Sequence, residues 1–401
     1  PTETTEINAV PTQHNRHFLR VRAPLGLRSS LIAATLAVSI GVAPGAWAED
    51  ALSVATWGGA YGQSQEAALF EPFAKKTGTA ITTEIYDGSL TKLKTMIGGR
   101  NASIDVIDVS AGTLNALCSD GLLEKIEPSS LSAAPEGPSV EEDFLAGGLS
   151  TCGVASVAWS TAIAFDRKAF RKGQPTQISA LLDKARFPGK RALPNNARRT
   201  LELALLADGV PPESVYSELG TEAGANRAFA ALDKIKKDIL FWDNAGQPIS
   251  WLLEKKVAMA AGYSGRIFRA AVGNRQRIGV LWAGQIYDVD AWAIPKTAKN
   301  KKGAMRFIKF ATEPAQLAAQ ARLIAYGPMR KSAVPLVGRH PVINVEMQDF
   351  LPTAPDNFKK ALKFDEAWWT KTGKALSTRF AAWRAGIKKD TKPEPAGDAA
   401  P

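Results

Sequence analysis

A small set of aromatic and polar residues falls where predicted β-strands end: Trp57, Tyr61, Ser110, Tyr263, Tyr287, Asp288 and Asp290. Aromatic faces combined with carboxylates are what a desolvated cleft needs to hold an organic ammonium, through cation–π attraction and a charge-assisted hydrogen bond. Taken one at a time, Tyr263 and Tyr287 read as ordinary half-buried strand residues. Their joint placement on segments that cross from one half of the chain to the other is what suggests a ligand cleft.

Histidine usage removes most of the catalytic alternatives. Of three histidines, His14 and His17 lie near the amino terminus and His340 stands alone beside Pro341, so a multi-histidine zinc or iron site is not available. A Ser-His-Asp arrangement would depend on that single loop residue. No Gly-x-Ser-x-Gly elbow, phosphate-binding P-loop or Gly-x-Gly-x-x-Gly fingerprint occurs. No two of the six tyrosines are adjacent, which argues against an iron site built on neighbouring tyrosines. The expectation is a binding protein without catalysis, metal or cofactor. A secreted hydrolase using two of the many carboxylates is the rival from another class.

The elements that must position these residues are strands and helices in alternation. Val54-Ala-Thr-Trp-Gly-Gly-Ala-Tyr61 reads as a strand end, a glycine turn and the start of a helix over 63–76, whose Ala67, Phe70, Phe73 and Ala74 fall at helical spacing. Strands at 80–86 and 104–110 with helices at 89–98 and 111–119 continue the pattern, which builds a parallel sheet covered by helices. Ligands dock at the carboxyl ends of such strands. Residues 154–165 and 287–295 are long β-prone runs able to leave one lobe and enter another. Between them the spacing predicts helices near 178–186, 198–208, 221–237 and 248–255, and strands near 190–193, 257–262 and 278–282. A helix at 302–310 follows, with Thr312 and Pro314 at the cap and first turn of the next. Phe364, Trp368 and Trp369 predict a last helix reaching about residue 386, with 387–401 as a tail. The predicted fold is α/β and two-lobed: 49–158 plus 291–345 form the first lobe, and 159–290 plus 346–386 the second.

The amino-terminal 48 residues have the make-up of a cleaved export signal: Arg16, Arg20, Arg22 and Arg28, an apolar stretch at 31–42, and Ala46-Trp-Ala48. Removing four Arg and two Glu with it lowers the formal net charge from +11 to +9. The densest basic run, 296–302, lacks interleaved aromatics and reads as a solvated face rather than a nucleic-acid track. No cysteine stands at the cleavage position to carry a lipid, so the expectation is a periplasmic monomer without a membrane anchor. Cys118 and Cys152, the only two cysteines, are expected to pair in an oxidising compartment.

The whole stretch from Leu52 to about Gly386 resembles the solute-binding proteins of ABC importers, in particular the spermidine/putrescine-binding group. The resemblance rests on the strand-Trp-turn-Tyr-helix opening, on Ile104-Asp-Val-Ile-Asp-Val-Ser110, on Gly262-Tyr-Ser-Gly265, and above all on the block from Tyr287-Asp-Val-Asp-Ala-Trp-Ala-Ile-Pro295 to Phe310. It implies a small solute trapped between closing lobes and passed to an inner-membrane permease. It also implies that Trp57, Tyr61 and Ser110 line the first lobe's side of the cleft. Tyr263 stands where the group commonly has a tryptophan, and Asp290 matches an acid that pairs with a ligand amine.

The departures are as informative. Asn195 and Asn196, followed by Arg198 and Arg199, occupy the place of second-lobe acids, and Asp288 stands where a tryptophan is expected. With Arg266, that loop suits a carboxylate or polar group better than a second ammonium. The expected ligand is therefore polyamine-like or amine-containing, with a zwitterionic or anionic amino-acid or sugar derivative as the alternative.

Overall fold

The computed structural model describes residues 51–99, 102–135, 137–170, 173–273 and 277–390. The signal assigned to residues 1–48 lies outside them. In chain order the strands are β1 Leu52–Thr56, β2 Ile81–Ile85, β3 Val106–Ser110, β4 Leu149–Ser150, β5 Gly153–Asp166, β6 Arg191–Pro194, β7 Ile239–Trp242, β8 Met259–Tyr263, β9 Ile278–Ala293, β10 Gly327–Pro328 and β11 Leu362–Lys363. The main path runs β2-β1-β3-β9-β5-β8-β6-β7. Both flanks are parallel, β2-β1-β3 on one side and β8-β6-β7 on the other. The long pair β9 and β5 is antiparallel to each other and to both flanks.

β5 and β9 run through both halves, as the two crossings predict. All of β5 is buried except Trp159, which is half-buried. Small residues (Ala155, Ala158, Ala162, Ala164) permit this, because a strand covered on both faces has no polar side to spare. One core gathers around Phe70, Phe73, Trp292 and Phe307. The other gathers around Leu201, Leu205, Phe229, Leu281 and Trp369.

Two interruptions in the central ladder matter for the site. The pairing steps from Ala155↔Ala291 to Val157↔Asp290, leaving Ser156 as an extra residue on β5. It steps again from Thr161↔Ile286 to Ile163↔Leu281, so β9 carries additional residues there, with Gly284 at φ 79°. Bulges of this kind redirect side chains next to binding sites.

Several elements differ from the sequence reading. Residues 178–186 form only a 3₁₀ turn, Ile178–Leu181, because the buried Arg191 guanidinium takes the carbonyls of Ala180, Leu181 and Phe187 at 3.2, 3.0 and 2.7 Å. The strand expected at 278–282 and the crossing expected at 287–295 are one strand. Strand β7 and the helix Ser264–Gly273 were not predicted. Thr312 does not cap: its hydroxyl donates back to the Ile308 carbonyl at 2.7 Å, and Glu313 occupies the cap position before Pro314. Phe364 lies outside the last helix, Glu366–Asp390, since β11 pairs with β9 and draws that segment to the sheet. The helix continues past residue 386, and the remainder of the expected tail from 391 is outside the described residues.

Cys118 and Cys152 form a disulfide across 34 residues. It ties the end of the helix Ala111–Ser119 to the turn leading into β5. For a loop of this length the bond stabilises by roughly 3 to 4 kcal/mol. Replacing both cysteines by serine should lower the thermal midpoint while leaving solute affinity within about twofold; an unchanged midpoint in a reversible melt would contradict it.

Candidate functional site

Strand register assembles the site. Ser110 lies opposite Asp290, Trp159 opposite Asp288, and Thr161 opposite Tyr263. Because side chains alternate along a strand, Asp108, Ser110, Trp159, Tyr263, Asp288 and Asp290 all project to one face. A cavity of about 520 Å³ opens over part of that face, with Trp57, Tyr61, Ser110, Trp159, Tyr263 and Asp290 in its wall. The remaining wall comes from the helix Ser264–Gly273 through Gly265, Arg266, Phe268 and Arg269, from Ala245, and from the segment Leu323, Ile324 and Tyr326.

The turn after β1 works as its glycines suggest. Gly58 and Gly59 have φ of 71° and 59°, and a Cβ on Gly58 would come within 2.9 Å of the Ile85 side chain. Trp57 lies against Tyr86 with ring centroids 4.8 Å apart. Gly88, at φ 84°, is where the chain passes close over that indole: a Cβ there would meet it at 2.9 Å. Tyr61 is buried and its ring faces Tyr326 at 5.6 Å. Tyr263 packs edge-on against Trp159 and Trp242, at 5.5 and 5.9 Å.

The electrostatics centre on a buried carboxyl without a cationic partner. Asp290 is buried, and its Oδ1 accepts a hydrogen bond from Trp159 Nε1 at 3.3 Å. No Lys, Arg or His pairs with it among the described residues. Burial, then the neighbouring carboxyls of Asp108 and Asp288, raise its pKa above the usual range. Burial likewise raises Asp108, which lies behind Tyr61. In the same wall Arg266 and Arg269 are solvent-exposed and make no ion pair among the described residues. Aromatic walls, a buried acid and two guanidiniums can hold a short molecule with an ammonium at one end and a carboxylate at the other.

Of the residues singled out from sequence, Trp57, Tyr61, Ser110, Tyr263, Arg266 and Asp290 come together here. Asn195, Asn196, Arg198 and Asp288 do not line the cavity. Asn195 Nδ2 donates to Asp243 at 2.6 Å, and the Asn196 side chain accepts from the Arg198 amide to cap the helix Ala197–Ala207. Arg198 pairs with Glu366 at 2.5 Å. Asp288 is held by Arg199 at 3.2 Å, and burial raises its carboxyl to about 6 although Arg199 opposes the shift. Tyr287 also turns away, donating to the Ala146 carbonyl at 3.2 Å and packing on Phe358. The physical reason is local satisfaction: each of these groups finds a partner within its own layer.

Sequence reasoning missed Asp108, Trp159, Arg269 and Tyr326, and it read Arg199 as part of a ligand-facing loop. Asp108 interrupts an apolar strand and Trp159 interrupts a run of small residues, so both carried a readable signal. Tyr326, in an irregular segment between a helix and β10, carried none. Arg199 sits with φ 68° between the rings of Phe364 and Trp159, at 4.1 and 5.0 Å. It thereby backs Trp159 from the side away from Asp290.

The chain matches the family model described as bacterial extracellular solute-binding protein over residues 68–345. It is 36% identical over 334 residues to the gamma-aminobutyric acid-binding protein of Pseudomonas aeruginosa, covering 83% of this chain and 91% of that one. It is 26% identical over 269 residues to the spermidine/putrescine-binding periplasmic protein of Escherichia coli, covering 64% of this chain and 72% of that one. Among solved structures, the Atu4243-GABA receptor superposes with a TM-score of 0.66 at 27% identity, over 86% of this chain and 99% of that one.

Proposed function

Because the chain belongs to the bacterial extracellular solute-binding proteins, we propose that its cavity captures a short amine that also carries a carboxylate, of the γ-aminobutyric acid type, for an ABC permease. The observation that carries the reading is opposite charge around one cavity of about 520 Å³: buried Asp290, which has no cationic partner among the described residues, and Arg266 and Arg269, which make no ion pair among them. Trp57, Trp159 and Tyr263 supply the walls for the methylenes and for the ammonium face. A relative at 36% identity is named for that ligand, and a structural neighbour for the same one.

A plain diamine is the second reading. It retains the Asp290 end and has in its favour a relative named for spermidine and putrescine, but it would place an ammonium beside two guanidiniums. Capture would close the lobes about β5 and β9, with 49–158 plus 291–345 moving against 159–290 plus 346–386. Residues 1–48 would direct export to the periplasm, and the protein would act as a monomer without an anchor.

Titration calorimetry of the protein starting at Glu49 with γ-aminobutyric acid, β-alanine, putrescine and spermidine tests this. Binding of the ω-amino acids at least tenfold more tightly than putrescine is expected, and the reverse order would replace the reading with the polyamine one. Removing both guanidiniums, Arg266→Ala with Arg269→Ala, should weaken the ω-amino acid by about 1.5 to 3 kcal/mol, the range for hydrogen bonds to charged groups. Putrescine should be unaffected or bind more tightly.

A further inference from the structure

The reading above uses Asp290, which lines the cavity, and leaves Asp108 without a task. Asp108 is fully buried at 0% exposure, stands behind the cavity wall, and has no Lys, Arg or His partner among the described residues. Its oxygens are nevertheless fixed: Gln65 Nε2 donates to Oδ2 at 2.6 Å and Ser156 Oγ to Oδ1 at 3.4 Å. Gln65 is itself held by Thr56 Oγ1, which donates to its Oε1 at 2.5 Å.

The register places this carboxyl next to the cation seat. Ser110 lies opposite Asp290, so Asp108, two residues earlier, is the diagonal neighbour of Asp290 on the same face, a separation of roughly 7 to 8 Å. Ser156, the extra residue of the β5 bulge, joins them. Its hydroxyl lies 3.0 Å from the Asp290 carbonyl oxygen and 3.3 Å from the Tyr61 hydroxyl, and reaches Asp108 as well. Two buried carboxyls this close, supported only by neutral donors, cannot both stay ionised without a cation.

We propose that Asp108 and Asp290 hold a proton between them in the empty protein, and that an ammonium enters the cavity in exchange for it. One proton leaves to solvent, one cation takes its place, and the charge of the buried pair is balanced on both sides of the exchange. Asp108 is a positioning residue here: it touches no solute and acts through Asp290. The device makes the seat selective for a cation, since a neutral solute of the same shape offers nothing in return for the displaced proton. The proposal rests on the amine reading of the cavity.

The other titratable groups facing the pair do not supply the missing charge. Tyr61 and Tyr326 are hydroxyls pushed upward by burial, and Tyr86 donates to the Asp108 carbonyl oxygen at 3.1 Å. Asp288 adds negative charge and is already paired with Arg199, while Arg266 and Arg269 are solvent-exposed and neither bonds to the pair. Burial and mutual repulsion favour the protonated form of the pair, so binding of an ammonium releases a proton, and affinity rises with pH until the empty pair has lost that proton on its own.

The test uses the protein starting at Glu49 and two readouts. Infrared difference spectra near pH 6, with minus without saturating γ-aminobutyric acid, should show the loss of one protonated-carboxyl carbonyl stretch, set against the constant band of Glu202 and Asp288, whose carboxyls burial raises to about 7 and about 6. Calorimetry in two buffers of different ionisation enthalpy should then count about one proton released per solute, with affinity rising up to about tenfold per pH unit between pH 5.5 and 7. Asp108→Asn should release less than half a proton and flatten that slope while still binding. A wild-type difference spectrum with no loss of a protonated-carboxyl band on saturation overturns the exchange even if no variant folds. So does an Asp108→Asn protein with an unchanged proton count. Failure of every amine to bind overturns the ligand reading instead, and is distinguishable because calorimetry would then show no binding to saturate.

Discussion

Asp290→Asn is expected to weaken binding of an amine solute by about 2 to 4 kcal/mol, roughly thirty- to several-hundred-fold, with little change in the melting curve. The expectation follows from position. Asp290 is the carboxylate that both lines the cavity and lacks a cationic partner among the described residues, and its Oδ1 is aimed by the Trp159 indole. The asparagine is the same size and can still accept from Trp159, so the sheet loses nothing, while the ammonium loses a largely buried counter-charge. Calorimetry beside a thermal melt separates the two outcomes. An affinity within threefold of wild type would move the ammonium to another wall.

The largest effect on stability should come from the ion pair beneath the first lobe. Arg330 and Asp143 are both fully buried, with Nε to Oδ2 at 2.6 Å. The guanidinium also donates to the carbonyls of Ser132 and Thr312, and the carboxylate also accepts from the amide and hydroxyl of Ser332. Burial would raise the Asp143 pKa, but the Ser332 donors and the Arg330 charge outweigh it and hold the carboxyl below its usual range. Asp143→Ala leaves an unpaired buried guanidinium and should cost about 3 to 5 kcal/mol in reversible denaturant unfolding. A carboxylate whose folded pKa is depressed contributes stability above the ordinary aspartate value of about 4 and loses it as pH falls through the folded value. Wild type should therefore lose that increment on acidification below pH 4, and the variant should not.

How much of this was legible depended on whether a residue's role was settled locally. The strand–glycine turn–helix around Trp57 was readable because Gly58 and Gly59 are required by backbone conformation alone. The two crossings were readable because a long strand buried on both faces is mostly apolar and β-prone. The first half of the sheet matched closely for the same reason. The second half was harder. Arg191 dissolves a helix by collecting its carbonyls, a long-range effect that no periodicity announces, and the bulges in the β5–β9 ladder join what look like two strands. Within the site, residues at the ends of regular strands were found; Asp108 and Trp159 stand out in their apolar strands, but only the pairing of β3, β9 and β5 puts them on one face. The loop Asn195 to Arg199 misled in the opposite sense. Its polar side chains looked available from composition, yet Asp243 takes the Asn195 amide, and Glu366 and Asp288 take the two guanidiniums.

The long strands β5 and β9 run through both halves of the sheet, and Asp290, the acid proposed to seat the amine, lies on β9. The two guanidiniums come from the outward face of one helix. Over descent the acid and the guanidiniums are thus free to diverge at different rates. Substitutions at positions 266 and 269 can retune the cargo without touching the pleat on which closure turns, whereas a change at 290 alters recognition and motion together. A lineage of such carriers is expected to change its diet by editing a helix face while inheriting the hinge intact.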